Sequence, residues 1–169
     1  MLQKDMLLPH KTIQDNVALP LLLKGMKKAD ARREALRYFD RFGLAGCQQK
    51  YPVQLSGGMR QRAALLRTWL CGNRVALLDE PFSALDTLTR TAVQEWYLQV
   101  MEEIRMSTLF ITHDVDEAIL LSDRIYIMKG SPAAMTDELR IPTPRPRDRD
   151  YMLSEEVLAL KRQIRELIG

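Results

Sequence analysis

The tetrapeptide Val75-Ala76-Leu77-Leu78 is an unbroken apolar run that ends in two adjacent carboxylates, Asp79 and Glu80. A strand with one solvated face alternates apolar and polar residues, whereas an unbroken run suits a strand buried on both faces, as in a parallel sheet. A second buried strand is expected over 108–112, directly before His113, and a helix over about 87–103 lies between the two. A third short strand is expected over 124–128. Strand–helix–strand alternation of this kind points to α/β architecture with right-handed crossovers. Asp79, Glu80 and His113 then fall at the strand-end edge where α/β sheets bind ligands.

The turn Ser56-Gly57-Gly58 opens directly onto a helix expected over 57–70, with Ala63, Ala64, Leu66 and Leu70 toward a core. Serine is a favoured N-cap, and two glycines let a ligand approach the backbone closely. Free N–H groups and the helix dipole make such an end attractive to an anion. At the strand end, Asp79 is suited to hold Mg²⁺, a hard cation that prefers oxygen ligands. Glu80, pointing the other way, can polarise a water for in-line attack on phosphorus. Asp86 reads as the cap of the next helix, and His113 as a neutral imidazole able to donate to a phosphate oxygen.

Elsewhere, apolar residues at Ala35, Leu36, Phe39 and Phe42 predict a helix over 29–42, ended by Gly43 and Gly46. Tyr51-Pro52 marks an extended approach to the Ser56 turn. Asp114 and Glu117 have capping-box spacing before a helix ending near Leu121. Residues 130–150 hold Pro132, Pro142, Pro144 and Pro146 among several arginines. Apart from a short strand near 135–141, they are expected to form an extended, solvated linker. Val157, Leu160 and Ile164 then recur at helical spacing after Ser154.

Composition removes other classes. The net charge of +3 is too small to argue for nucleic acid or an anionic membrane surface. The longest apolar run, 17–23, contains Pro20 and is far short of the roughly 20 residues of a membrane span. Charged residues on both sides make it a poor signal peptide. Cys47 and Cys71 form no CxxC pair and read as buried or incidental thiols in a reducing, cytoplasmic compartment.

Together these pieces resemble the nucleotide-binding subunit of an ABC transporter. Residues 55–62 look like the family signature, 75–80 like Walker B, 83–86 like the D-loop, His113 like the switch histidine and Gln3 like the Q-loop glutamine. The resemblance implies a partial P-loop NTPase sheet with an α-helical signature subdomain. Residues 1–71 would hold the Q-loop and signature, 72–130 the core, and 131–169 a linker and C-terminal helix. It implies ATP and Mg²⁺ as cofactors, with Glu80 and His113 catalytic and Asp79 and Gln3 at the metal. Gln3, Ser56, Gly57, Gly58, Gln61 and Asp86 would contact nucleotide shared between two subunits. Its partners would be a second ATPase subunit, transmembrane permease subunits and, indirectly, a solute-binding protein, at the inner face of the cell membrane and without nucleic acid. Residues 1–23, Met59 in the signature and residues 142–149 look similar to the importers of nitrate, sulfonate, taurine and thiamine-precursor pyrimidines. His10 departs from the tryptophan expected after Leu-Leu-Pro.

The sequence contains no GxxxxGK[ST], the loop that cradles phosphates and supplies a lysine and a Mg²⁺-binding hydroxyl. In the family it precedes the Q-loop, so Met1 is expected to be an internal methionine of a longer reading frame. The chain alone is expected to have little ATPase activity and to expose an apolar sheet edge. Two alternatives stay open: a non-catalytic partner lending only its signature helix, and a soluble ABC-type ATPase acting on nucleic acid.

Overall fold

Thr12 opens the first helix, α1 (Ile13–Leu23), by accepting the Asp15 N–H on its hydroxyl at 3.2 Å. The computed structural model describes residues 5–104 and 106–169, which divide into two units, one ending at Ile111 and one running from Thr112 to Gly169. No helix was expected over 13–23, and Pro20 falls inside it. A proline there removes one backbone hydrogen bond, a cost that tertiary packing overrides here. Ile13, Val17 and Ala18 are fully buried, and α1 lies against α2 (Lys28–Leu36) and α3 (Gly57–Trp69).

Asn16 on α1 is fully buried and gathers the preceding loop. Its side chain accepts from Leu8 N at 2.6 Å and donates to the carbonyls of Leu8, Lys11 and Thr12 at 3.0–3.1 Å. A buried amide that is saturated in this way costs little, and it fixes the loop's course. Asp15 on the same helix holds Arg32 of α2 through two bonds of 2.7 Å.

The helix expected to reach Phe42 stops at Leu36. Beyond it the chain tightens into i→i+3 bonds, Tyr38 N to Ala35 O and Phe39 N to Leu36 O, both 3.2 Å. Phe39, Phe42 and Leu44 still reach the core from these turns. Gly43 takes the left-handed backbone (φ 64°) that turns the chain back. The apolar spacing therefore marked a buried face correctly but not its backbone. Tyr51 is extended as expected, followed by a short 3₁₀ turn, Pro52–Gln54.

Next come β1 (Val75–Asp79), α4 (Thr87–Ile104) and β2 (Ser107–Ile111), with β1 and β2 parallel and Asp79 opposite Ile111. Phe82, Tyr97 and Phe110 stack edge to face or tilted on one side of this pair, and the Tyr97 hydroxyl donates to Thr108 Oγ1 at 3.1 Å. Ala76 and Leu78 are buried, whereas Val75, Leu77, Leu109 and Ile111 are 47–60% exposed. Burial on both faces, expected from the unbroken apolar runs, is thus corrected to burial on one. Tyr97 of α4 lies against Phe110 on the covered side.

The second unit contains α5 (Val115–Leu121), β3 (Arg124–Lys129), β4 (Ala134–Arg140), α6 (Arg149–Met152) and α7 (Glu155–Ile168). β3 pairs antiparallel with β4, with a bulge at Ile127/Met128. Its core joins Ile119, Ile125, Ile127, Leu139 and Ile141 to Val157, Leu160 and Ile164, the stripe expected on the last helix.

The expected short strand is β4, and most of 142–150 is exposed as expected, with Arg147 the exception. Arg147 is 4% exposed, and its guanidinium donates to the carbonyls of Ile119 and Ser122 at 2.8 Å and, through Nε, to Thr143 at 2.8 Å. Burial lowers its pKa from the ordinary arginine value, yet the group stays charged. It thereby satisfies the carbonyls that α5 leaves open at its C-terminal end and complements that end's partial negative charge. Arg145 forms a two-bond ion pair with Asp123 at 2.7–2.8 Å.

Arg147→Ala is therefore expected to cost about 3 kcal/mol, because it strands buried carbonyls. Urea unfolding that follows the second unit measures it. The Arg32 hydrogen bonds hold the Asp15 carboxyl below the usual aspartate range. A depressed folded pKa gives stability that is present above the unfolded value of about 3.9 and lost as pH falls through the folded one. Acid-dependent urea midpoints should therefore fall more steeply below about pH 4 in the wild type than in Asp15→Asn.

Candidate functional site

Ser56 caps α3 with extended backbone (φ −62°, ψ 161°), its hydroxyl accepting the Met59 N–H at 3.3 Å. Ser56 is exposed, Gly57 half-buried and Gly58 buried. The first-turn amides thus lie at an accessible helix start with a net positive end. A groove of about 320 Å³ lined by Leu19, Pro20, Leu23, Lys24, Arg67 and Cys71 lies at the other end of α3.

The two glycines also have a packing reason that sequence reasoning missed. A Cβ on Gly58 would sit 2.9 Å from both Thr89 Cγ2 and Val93 Cγ2 of α4, and one on Gly57 would sit 3.1 Å from Leu85 Cδ2. The α3 backbone therefore approaches α4 more closely than any side chain allows. Further along, the Arg62 guanidinium lies 4.7 Å from the Trp96 ring centre, a cation–π contact between the same helices. Trp96 Nε1 donates to Arg41 O at 3.4 Å.

The segment that follows Gln3 is fastened to α3. Arg60 Nε meets Asp5 Oδ2 at 3.0 Å, and Arg67 donates to the carbonyls of Asp5 at 2.7 Å and Met6 at 2.8 Å. Burial first lowers the Arg67 pKa, and the neighbouring Asp5 opposes that shift. Gln3 itself lies outside the described residues.

Asp79 ends β1, and Glu80 follows in a left-handed conformation (φ 42°). For a residue with a side chain that geometry costs on the order of 1–3 kcal/mol, and it persists where surrounding bonds impose it. Glu80 N donates to Ile111 O at 2.9 Å, continuing the ladder, and Glu80 O accepts from Ser83 Oγ at 2.9 Å and Ser83 N at 3.3 Å. Gln61, 5% exposed on α3, donates its side-chain amide to the carbonyl of Pro81.

Asp86 caps α4 as expected, accepting from Thr89 N at 3.0 Å. That bond holds its carboxyl below the usual range, so it is ionised at neutral pH. Ser56, Gly57, Gly58, Gln61, Asp79, Glu80 and Asp86 all belong to the first unit. His113 belongs to the second, between Thr112, whose Oγ1 accepts Asp114 N at 3.0 Å, and Asp114, which caps α5.

Among the described residues, no group of three or more His, Cys, Asp or Glu side chains converges on one point. Mg²⁺ does not require such a cage, since it is commonly held by one or two carboxylates together with substrate phosphates and water. The half-buried strand-end carboxylate of Asp79 fits that mode.

Comparison with known proteins adds independent findings. Residues 1–83 match the model of the ABC transporter family. The chain is 42% identical to the formylaminopyrimidine import ATP-binding protein of Halalkalibacterium halodurans, over 98% of this chain and 68% of that protein. It is 41% identical to the nitrate import ATP-binding protein of Synechococcus elongatus, over 90% of this chain and 57% of that one. With the trimethylamine N-oxide transport system ATP-binding protein of Pelagibacter ubique it shares 43% identity, over 80% and 40% of the two chains. Among solved structures, it resembles a dimeric ATP-binding cassette in a post-hydrolysis state bound to ADP and Pi. The TM-score is 0.66 and the identity 29%, covering 83% of this chain and 61% of that one. The chain thus spans roughly two thirds or less of the proteins it matches.

The α3–α4 approach gives a direct test. Gly58→Ala should destabilise the first unit by about 1–3 kcal/mol through overpacking. Adding Val93→Ala should recover part of the loss, as read by urea denaturation of the single and double variants.

Proposed function

The chain belongs to the ABC transporter family, and from that premise we propose that it is the nucleotide-handling part of an ATP-hydrolysing subunit that energises an importer of a small polar solute. The observation that carries this reading is the N-terminus of α3. It is accessible, capped by Ser56, and held through α4 and Pro81 to the turn that presents Asp79 and Glu80 in the same unit.

In this reading the Ser56 hydroxyl and the Gly57 and Gly58 amides receive the terminal phosphate of ATP bound to a second subunit. Backbone donors on a fixed helix suit that task because they are already oriented and carry the helix's partial positive charge. Asp79 holds Mg²⁺, partly through water, and Mg²⁺ neutralises charge on the phosphates when bound. Glu80 accepts a hydrogen bond from the attacking water and orients it in line with the phosphorus. His113 donates a hydrogen bond to a phosphate oxygen, Gln3 joins the metal and nucleotide, and Asp86 lies at the contact with the second subunit. The phosphate cradle facing Asp79 and Glu80 requires a GxxxxGK[ST] loop, and these 169 residues contain none.

The importer assignment follows the named roles of the relatives, which include formylaminopyrimidine, nitrate and trimethylamine N-oxide transport. Small nitrogenous or anionic solutes are the corresponding cargo class. The partners are a second ATPase subunit and transmembrane permease subunits, reached from the cytoplasmic face. No helix among the described residues is long and apolar enough to cross a membrane.

Mixing separates the two halves of the site. This chain is combined with the formylaminopyrimidine relative. ATP and Mg²⁺ should drive a mixed dimer on gel filtration, and Gly57→Asp in this chain should abolish it without changing the circular dichroism spectrum. This chain alone should release phosphate at background rate. Robust magnesium-dependent turnover by this chain alone, or a mixed dimer indifferent to Gly57→Asp, overturns the reading.

A further inference from the structure

Glu80 has a backbone that a residue with a side chain rarely adopts, and several restraints act on its turn. Its N–H is tied to Ile111 O in β2, its carbonyl receives both Ser83 donors, and the next residue is Pro81, whose ring restricts the backbone. Phe82, fully buried against Tyr97 and Phe110, anchors the far side of the turn. These ties come from the sheet, the turn and α4. A further tie comes from α3, where Gln61 is buried and its carboxamide donates to Pro81 O.

We propose that Gln61 is a positioning residue: its side-chain amide, acting through the Pro81 carbonyl, holds Glu80 in the left-handed conformation and couples the N-terminal end of α3 to the Glu80 turn. Gln61 lies about one and a half helical turns from Ser56, on the helix whose start is the accessible anion-attracting end. A displacement of α3 is therefore passed to the residue following Glu80 through one bond, without any contact between Glu80 and the ligand of α3. Loss of that bond leaves the proline carbonyl buried beside an apolar aromatic cluster, so the turn relaxes rather than waits. The inference rests on the reading of Glu80 as the water-orienting group. Through it, occupancy of the phosphate site that α3 completes on one subunit biases the glutamate that serves the other. Such coupling is reciprocal: a shift in the Glu80 turn must change the anion affinity of α3 equally.

The test uses the full 169-residue chain and needs no turnover, so its outcome is independent of whether the chain hydrolyses ATP. In the wild type, NMR should show one Gln61 side-chain amide proton that exchanges slowly and correlates through the hydrogen bond with the Pro81 carbonyl carbon. Glu80 should show left-handed backbone chemical shifts and a protected N–H. Gln61→Met keeps the length and removes the donor. It should leave the far-UV spectrum and the exchange of interior α3 and α4 amides unchanged. The left-handed signature of Glu80 should disappear, and its amide exchange and that of Ser83 should rise at least tenfold. A purely structural role for Gln61 would instead raise exchange along α3 as a whole. A folded Gln61→Met in which Glu80 keeps its signature and protection overturns the proposal. So does a wild-type Gln61 amide that exchanges as freely as the exposed glutamines and shows no correlation with Pro81, which keeps the test decisive if the variant does not fold.

Discussion

The close approach of α3 to α4 at Gly58 is the contact on which the site's geometry depends. With no side chain at Gly58, the helix backbone comes within reach of Thr89 and Val93, and the rest of the interface forms at that separation. Arg62 then reaches the face of Trp96, and Gln61 reaches Pro81. A methyl group at Gly58 would push the helices apart and lengthen both contacts together. The glycines of the Ser56 turn thus serve the chain's own packing as directly as they could serve a ligand. Sequence reasoning, which saw only a backbone open to an anion, had no means of finding the intrachain reason.

Buried and half-buried cations and amides do for the loops what that contact does for the helices. Asn16 saturates the carbonyls before α1, Arg67 fastens the segment at Asp5 and Met6 to α3, and Arg147 closes the C-terminal end of α5. In each case one side chain satisfies backbone groups that irregular structure leaves open. This is the condition for burying a loop at all. Arg147 shows how composition misleads here. Prolines and arginines in 142–149 read as a solvated linker, yet that same arginine lies inside the second unit because several carbonyls converge on it.

The local site features were legible because their causes are local. A serine before two glycines and a helical run forms a cap wherever it stands, and Ser56, Asp86, Asp114 and Ser154 all cap the helices expected of them. Carboxylates after an apolar strand fall at its end by simple succession, as Asp79 and Glu80 do. The left-handed backbone of Glu80 was not legible. Nothing in Asp-Glu-Pro signals it, and it is imposed by bonds from β2, Ser83 and their neighbours. The expected helix through Phe42 failed for a related reason, since i→i+3 turns can place Phe39 and Phe42 on the same buried face as a continuing helix.

The sequence by itself determined which segments form strands and helices around the site, the parallel sense of β1 and β2, and the family to which their motifs point. Capping, periodicity and strand–helix–strand order act over a few residues or follow directly from chain connectivity. Only the tertiary structure decided that β1 and β2 are covered on one face, that Pro20 sits inside a helix, that Arg147 is buried, and that Gln61 reaches the Glu80 turn. Those outcomes depend on which distant surfaces and carbonyls come within a few ångströms of each other, a long-range quantity that residue type and spacing do not encode.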